Sequence, residues 1–141
     1  MLKIMLLTIT LVLMPLTTSA ENNYKPLAET GHPTAYFVAT RCGGLMLALA
    51  YWMGESPENK GLHADLTKNV QVFTAYAIQD ASGGDAPTDK IRIQALEIVK
   101  ASHQMYLDRF KNNYAETGQG YGEDKEVMAD IILCNKIKNN E

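Results

Sequence analysis

Arg41-Cys42-Gly43-Gly44-Leu45-Met46-Leu47-Ala48-Leu49-Ala50-Tyr51-Trp52-Met53-Gly54 is the stretch whose reading decides the fold. Its apolar part is too short to span a bilayer, which takes ~20 such residues. It is apolar on more than one side, the pattern of a helix surrounded by other elements. It holds one of the chain's two cysteines and its only tryptophan. Gly43 and Gly44 follow the cysteine, each costing ~1 kcal/mol relative to alanine inside a helix. A penalty of that size implies that the space is used. Two uses are open. The C-terminal helix can approach closely enough for Cys42 to be bridged, or a ligand or partner backbone can lie on the glycine face.

Upstream, Pro33 and Thr34 suit a helix start, so this first helix is expected over 34–53. Residues 21–33 are polar and aperiodic and read as a flexible N-terminal arm. The first twenty residues combine Lys3, an apolar run and the small residues Thr17-Thr18-Ser19-Ala20. That is the layout of a cleaved signal peptide over 1–20, and it implies a periplasmic or secreted protein with no stable membrane insertion after cleavage.

Downstream, Ser56-Pro57-Glu58 signals a second helix, on which Leu62, Leu66, Val70, Phe73 and Ala77 form one face. Gly83-Gly84 ends it. Asp85-Ala86-Pro87 starts a third helix, expected over 86–115. Its two adjacent rows (Ile91, Ala95, Ile98, Ser102, Met105 and Leu96, Val99, His103, Tyr106, Phe110) make a broad core-facing stripe. Glu123, Asp124 and Glu126 crowd the first turn of a fourth helix, whose inner face carries Val127, Ile131 and Cys134. The expected fold is therefore all-α: a small four-helix bundle in one domain over 34–138.

Export puts Cys42 and Cys134 in an oxidising compartment, and neither has a ligand partner at metal spacing, so they are expected to form one disulfide. In an up-down-up-down bundle that staple joins the two chain-terminal helices.

The chemistry-bearing residues are few. The chain's net charge is −3, and loss of Lys3 with the signal leaves it more acidic. No basic surface for nucleic acid follows from that balance. The glycine-rich 117–122 has no basic residue and is not a phosphate loop. No Glu-x-x-His pair, Cys-x-x-Cys-His or nucleophile elbow occurs, so no catalytic residue, metal ligand set or resident cofactor is assigned. His103 is the weak candidate for a cofactor ligand, because it falls on the apolar stripe with Met46, Met53 and Met105 as conceivable second ligands. The competing reading is a partly buried histidine bonded to a neighbour.

The arrangement of Cys42 with the apolar run 45–53 and the later Cys134, in a small exported helical chain, resembles one group of type VI secretion immunity proteins. The periplasmic acid-stress chaperones are similar in being small, helical and disulfide-stapled. These resemblances are architectural and carry over no functional residue. The expected function is non-catalytic binding of another protein, of immunity, inhibitor or stress type, with Trp52, Tyr76, Tyr114 and Tyr121 as candidate contacts. Carriage of a cofactor or lipid in the bundle interior is the alternative, and a small hydrolase without a recognisable motif is the third option.

Overall fold

Four helices form where the periodicity places them: α1 (Ala35–Met53), α2 (Lys60–Ser82), α3 (Asp89–Thr117) and α4 (Lys125–Asn139). The structure is a computed structural model that describes residues 24–31 and 33–139. The expected signal peptide, 1–20, lies outside those residues. Among the described residues there is no strand.

Helix α1 is the axis of the fold. Every residue from Ala39 to Met46 is buried, as expected of a helix that is apolar all round. Asp80 near the end of α2 meets Tyr36 at the start of α1, and Phe73 lies beside Gly43, so α2 runs antiparallel to α1. Helix α3 runs parallel to α1: Ile91 and Ile98 stand near Tyr36, Ser102 beside Gly44, and Phe110 against Trp52. Helix α4 returns antiparallel, with Gly120 under Trp52, Cys134 bonded to Cys42, and Ile137 beside Ala35 and Val38. This is the up-down-up-down order, and the Cys42–Cys134 disulfide, with Cα atoms 5.5 Å apart, joins its first and last members.

The glycine pair does not face α4. Successive helix residues point about 100° apart, so Cys42 faces α4 while Gly43 and Gly44 turn toward α2 and α3. A Cβ on Gly43 would meet Val99 and Phe73 at 3.4 and 3.6 Å, ordinary contact distances. A Cβ on Gly44 would lie 2.7 Å from the backbone nitrogen of His103 and closer still to the Ser102 side chain. Gly44 is therefore where α1 and α3 touch backbone to backbone. Gly44→Ala is expected to destabilise by about 1–3 kcal/mol through overpacking. Gly43→Ala is expected to be neutral or to stabilise by up to about 1 kcal/mol through helix propensity. Urea denaturation of the two variants checks the contrast.

Helix ends depart from expectation in two places. Ser56 and Pro57 do not open α2. The side chain of Asn59 folds back instead, accepting from Ser56 N–H at 2.7 Å and donating to the carbonyls of Met53 and Gly54, so the α1–α2 turn is tied to itself. Helix α3 is capped by Thr88, whose hydroxyl accepts from Ile91 N–H, and not by Asp85. It continues to Thr117, where Gly118 takes the left-handed conformation at φ 76°. Thr34 caps α1 as expected, accepting from Phe37 N–H.

The expected core stripe of α3 is only partly covered. Ala95, Val99, Ser102, Tyr106 and Phe110 are buried, but Leu96 and Ile98 are exposed together with Ile93. Near its N-terminal end α3 packs one narrow row against α1, and its flanks stay bare.

Candidate functional site

Two features position the remaining side chains: a buried polar cluster and a surface groove. Both depend on where α4 is held.

The cluster was not expected from the sequence. Arg41 and Asp130 are buried, 7 % and 1 % exposed, and their nearest charged atoms are 3.8 Å apart. Asp130 Oδ2 accepts from the hydroxyls of Tyr24 and Tyr106 at 2.9 and 2.8 Å, and Oδ1 accepts from Leu27 N–H at 2.8 Å. Arg41 Nη2 donates to the carbonyl of Lys25 at 2.7 Å, and its guanidinium packs against the rings of Tyr24, Phe37 and Tyr106. The part of the N-terminal arm from Tyr24 to the single 3-10 turn Leu27–Glu29 is therefore docked. Tyr24, Pro26 and Leu27 of that stretch are buried, Tyr24 and Leu27 in the same core cluster as residues of α1, α3 and α4.

Burial, and next the Asp130 carboxylate, raises the Tyr24 phenol well above its ordinary value. Burial likewise raises Tyr106, against the opposing pull of Arg41. Both hydroxyls stay protonated at neutral pH and act as donors to Asp130. With both Asp130 oxygens engaged and the carboxylate buried, the cluster is a latch. It ties arm, α1, α3 and α4 together.

A second tie fixes the start of α4. Arg109 Nε and Asn113 Nδ2 each donate to Asp124 Oδ2 at 2.6 Å, while Asp124 Oδ1 accepts from the N–H groups of Glu126 and Val127. Burial alone would raise the Asp124 carboxyl, but these bonds outweigh it and hold it below the usual range.

His103 has no such role. Its ring meets Tyr51 edge-on at 5.8 Å between centroids, and its buried Nε2 has no hydrogen-bond partner among the described residues. Met105 is engaged by Arg41, whose Nη1 lies 3.1 Å from the sulfur. Among the described residues no group of three or more His, Cys, Asp or Glu side chains could hold a metal ion. Burial pushes the imidazole below its ordinary value. The folded value lies below the unfolded one, so stability is intact above about pH 6.5 and is lost as pH falls through the lower folded value. Between pH 7 and 5 the urea midpoint of the wild type is expected to fall more steeply than that of His103→Gln. Parallel curves would contradict this.

The groove lies at the other side of α1. Its floor is Ala35, Val38 and Ala39, one wall is Phe73, Tyr76 and Gln79 of α2, and Ile137 of α4 is the opposite wall. Asp80, Gly83 and Gly84 close one end, and the space measures ≈ 700 Å³. Small residues on α1 make the floor low. Cys134 and Asp130 hold α4 to the middle of α1, which leaves Ile137 standing across the groove from α2. A second groove of ≈ 530 Å³ flanks the other side of the α2 terminus, between Tyr36, Ala81, Ile91, Gln94, Glu97 and Ile98. Tyr76 is 47 % exposed and Ile137 36 %, so the apolar lining is open to solvent.

Of the expected contact aromatics, Tyr76 lines this groove and Tyr114 is exposed elsewhere. Trp52 and Tyr121 are partly buried instead. Trp52 packs edge-on against Phe110 and Tyr114 and covers Gly120, where a Cβ would come within 2.6 Å of its Nε1. Tyr121 packs on Phe110 at 5.3 Å.

No helix of the described residues is long and apolar enough to cross a membrane. No family model matches the chain, and neither a curated protein nor a solved structure matches it.

Proposed function

We propose that the protein is an exported, non-catalytic binding module that seats an apolar segment of another protein in the groove between α2 and α4. The observation that carries this reading is an open apolar groove on a rigidly tied scaffold. Its volume falls in the range of about 300–1,000 Å³ typical of ligand sites. A floor of small residues between two helical walls is the shape that receives an amphipathic segment. The disulfide and the buried cluster pre-form the walls, which limits the ordering entropy lost on binding. The Cys42–Cys134 disulfide is also what an oxidising compartment would permit, in keeping with export.

The interior supports the surface reading over carriage inside the bundle. Phe73, Tyr106 and Phe110 are fully buried and fill the centre. The test is a crosslinked pull-down with the mature chain. Ala35→Trp fills the groove from an exposed position on its floor, and Ile132→Ser alters an exposed apolar residue outside it. One stoichiometric partner should be recovered by wild type and Ile132→Ser and lost with Ala35→Trp. Equal recovery by all three would refute the groove as the site.

A further inference from the structure

The groove is electrically lopsided, and its closed end is negative. Asp80 sits there, exposed, with only Oδ2 engaged, by the N–H of Tyr36 at 3.0 Å. The same end is the C-terminus of α2, whose helix dipole adds negative potential, set against the positive N-terminal end of α1 that Asp80 caps. Helix α2 has no basic residue in its last turn, whereas α4 carries Lys136 and Lys138 in its own. The second groove, on the other side of the α2 terminus, has Glu97 at its rim. Among the described residues that line either groove, none is Lys or Arg. Lys90 and Arg92 stand on the first turns of α3 but line neither.

We infer that the docked segment is an amphipathic peptide whose apolar side chains fill the groove and whose end beside Asp80 carries Lys or Arg. This rests on the groove being the binding site. The apolar floor and walls supply contact area without direction. The Asp80 carboxylate supplies the direction, since it is the one charged side chain among the described residues that line the groove, and it stands at one end. A segment ending in Asp or Glu meets the same apolar walls but is repelled at that end.

Two synthetic fourteen-residue amphipathic peptides test this, with identical Leu/Ala stripes and either Lys-Lys or Glu-Glu at both ends. Binding is read by fluorescence anisotropy at low ionic strength on the mature chain. The Lys-ended peptide should bind about tenfold tighter or more, from the summed dipole and ion-pair contributions. Asp80→Asn keeps an acceptor for Tyr36 N–H, so α1 stays capped, and should shrink the difference to about threefold. Equal binding of the two peptides, with both blocked by Ala35→Trp, would overturn the charge inference and leave the groove standing. Failure of both peptides to bind wild type would overturn the groove reading, and the inference with it.

Discussion

Replacing Asp130 by alanine should destabilise the protein by about 3–5 kcal/mol, the effect of removing one partner of a buried ion pair. Arg41 would be left charged and buried, with its Nε already lacking a hydrogen-bond partner among the described residues. The hydroxyls of Tyr24 and Tyr106 and the N–H of Leu27 would lose their acceptor together. Each unsatisfied donor adds about 1–3 kcal/mol if water cannot reach it. Against a total of about 5–15 kcal/mol, the variant is at the edge of folding. Asp130→Asn keeps an acceptor oxygen for the tyrosines, but it loses the charge opposite Arg41 and turns its Nδ2 donor toward the Leu27 N–H, so a loss smaller than that of alanine is expected. A double-mutant cycle with Arg41→Met separates the two contributions. The double variant should lose clearly less than the sum of the singles, because Met leaves no stranded charge. Urea unfolding measures all three, and a loss below about 1 kcal/mol for Asp130→Ala would remove the latch from the account.

Breaking the disulfide should have an effect of similar size by a different route. The bridge closes a loop of sequence separation 92, for which the chain-entropy model gives about 4.5 kcal/mol. The loss acts on the unfolded chain, so it should appear as a shifted midpoint with a larger denaturant slope. Native protein should show no free thiol until a reductant is added, as both sulfurs are paired and buried. In Cys42→Ala/Cys134→Ala, α4 would still be held by Asp130 and by Asp124, so helical content should survive in dilute buffer. Its C-terminal turns beyond residue 134 would be least restrained, and hydrogen exchange should rise first around Ile137. Uniform loss of helix on reduction would show that the latch cannot hold α4 alone.

The two ties explain how far the sequence could be read. The apolar run in α1, the Thr34 cap and the glycine stops act within a few residues of one another, so the local sequence reports them, whereas α2 and α3 start later than expected. The Cys42–Cys134 pairing was legible because only two cysteines exist. The latch was not read, because its contacts join residues 103 and 106 positions apart. A signal for it was present nonetheless. Arg41 and Asp130 are opposite charges on otherwise apolar helix faces, each beside or one turn from a bridged cysteine. An isolated charge there demands a partner, and each was the only buried charge available to the other among the described residues. Of the Gly43-Gly44 pair only Gly44 makes a close approach, and its neighbour is α3 and not the C-terminal helix. Spacing shows that a helix face is thin without showing which neighbour fills it.

The groove was legible only in part. Tyr76 was singled out, but nothing in the pattern marked Ala35, Val38 and Ala39 as an uncovered floor. Hydrophobic periodicity predicts which face is apolar. Whether another helix covers that face depends on helix lengths and crossing geometry. The same limitation accounts for Leu96 and Ile98, which match the stripe of α3 and yet face solvent.

The proposed occupant of the α2–α4 groove is a segment of another protein. Its most direct test is site-specific photocrosslinking in cells that produce the protein, with a benzophenone amino acid placed at Tyr76 on the groove wall or at Tyr114, exposed and outside it. A single defined product is expected from position 76, absent from position 114 and abolished by Ala35→Trp. Equal products from both positions, or a product from 76 that survives Ala35→Trp, would contradict it.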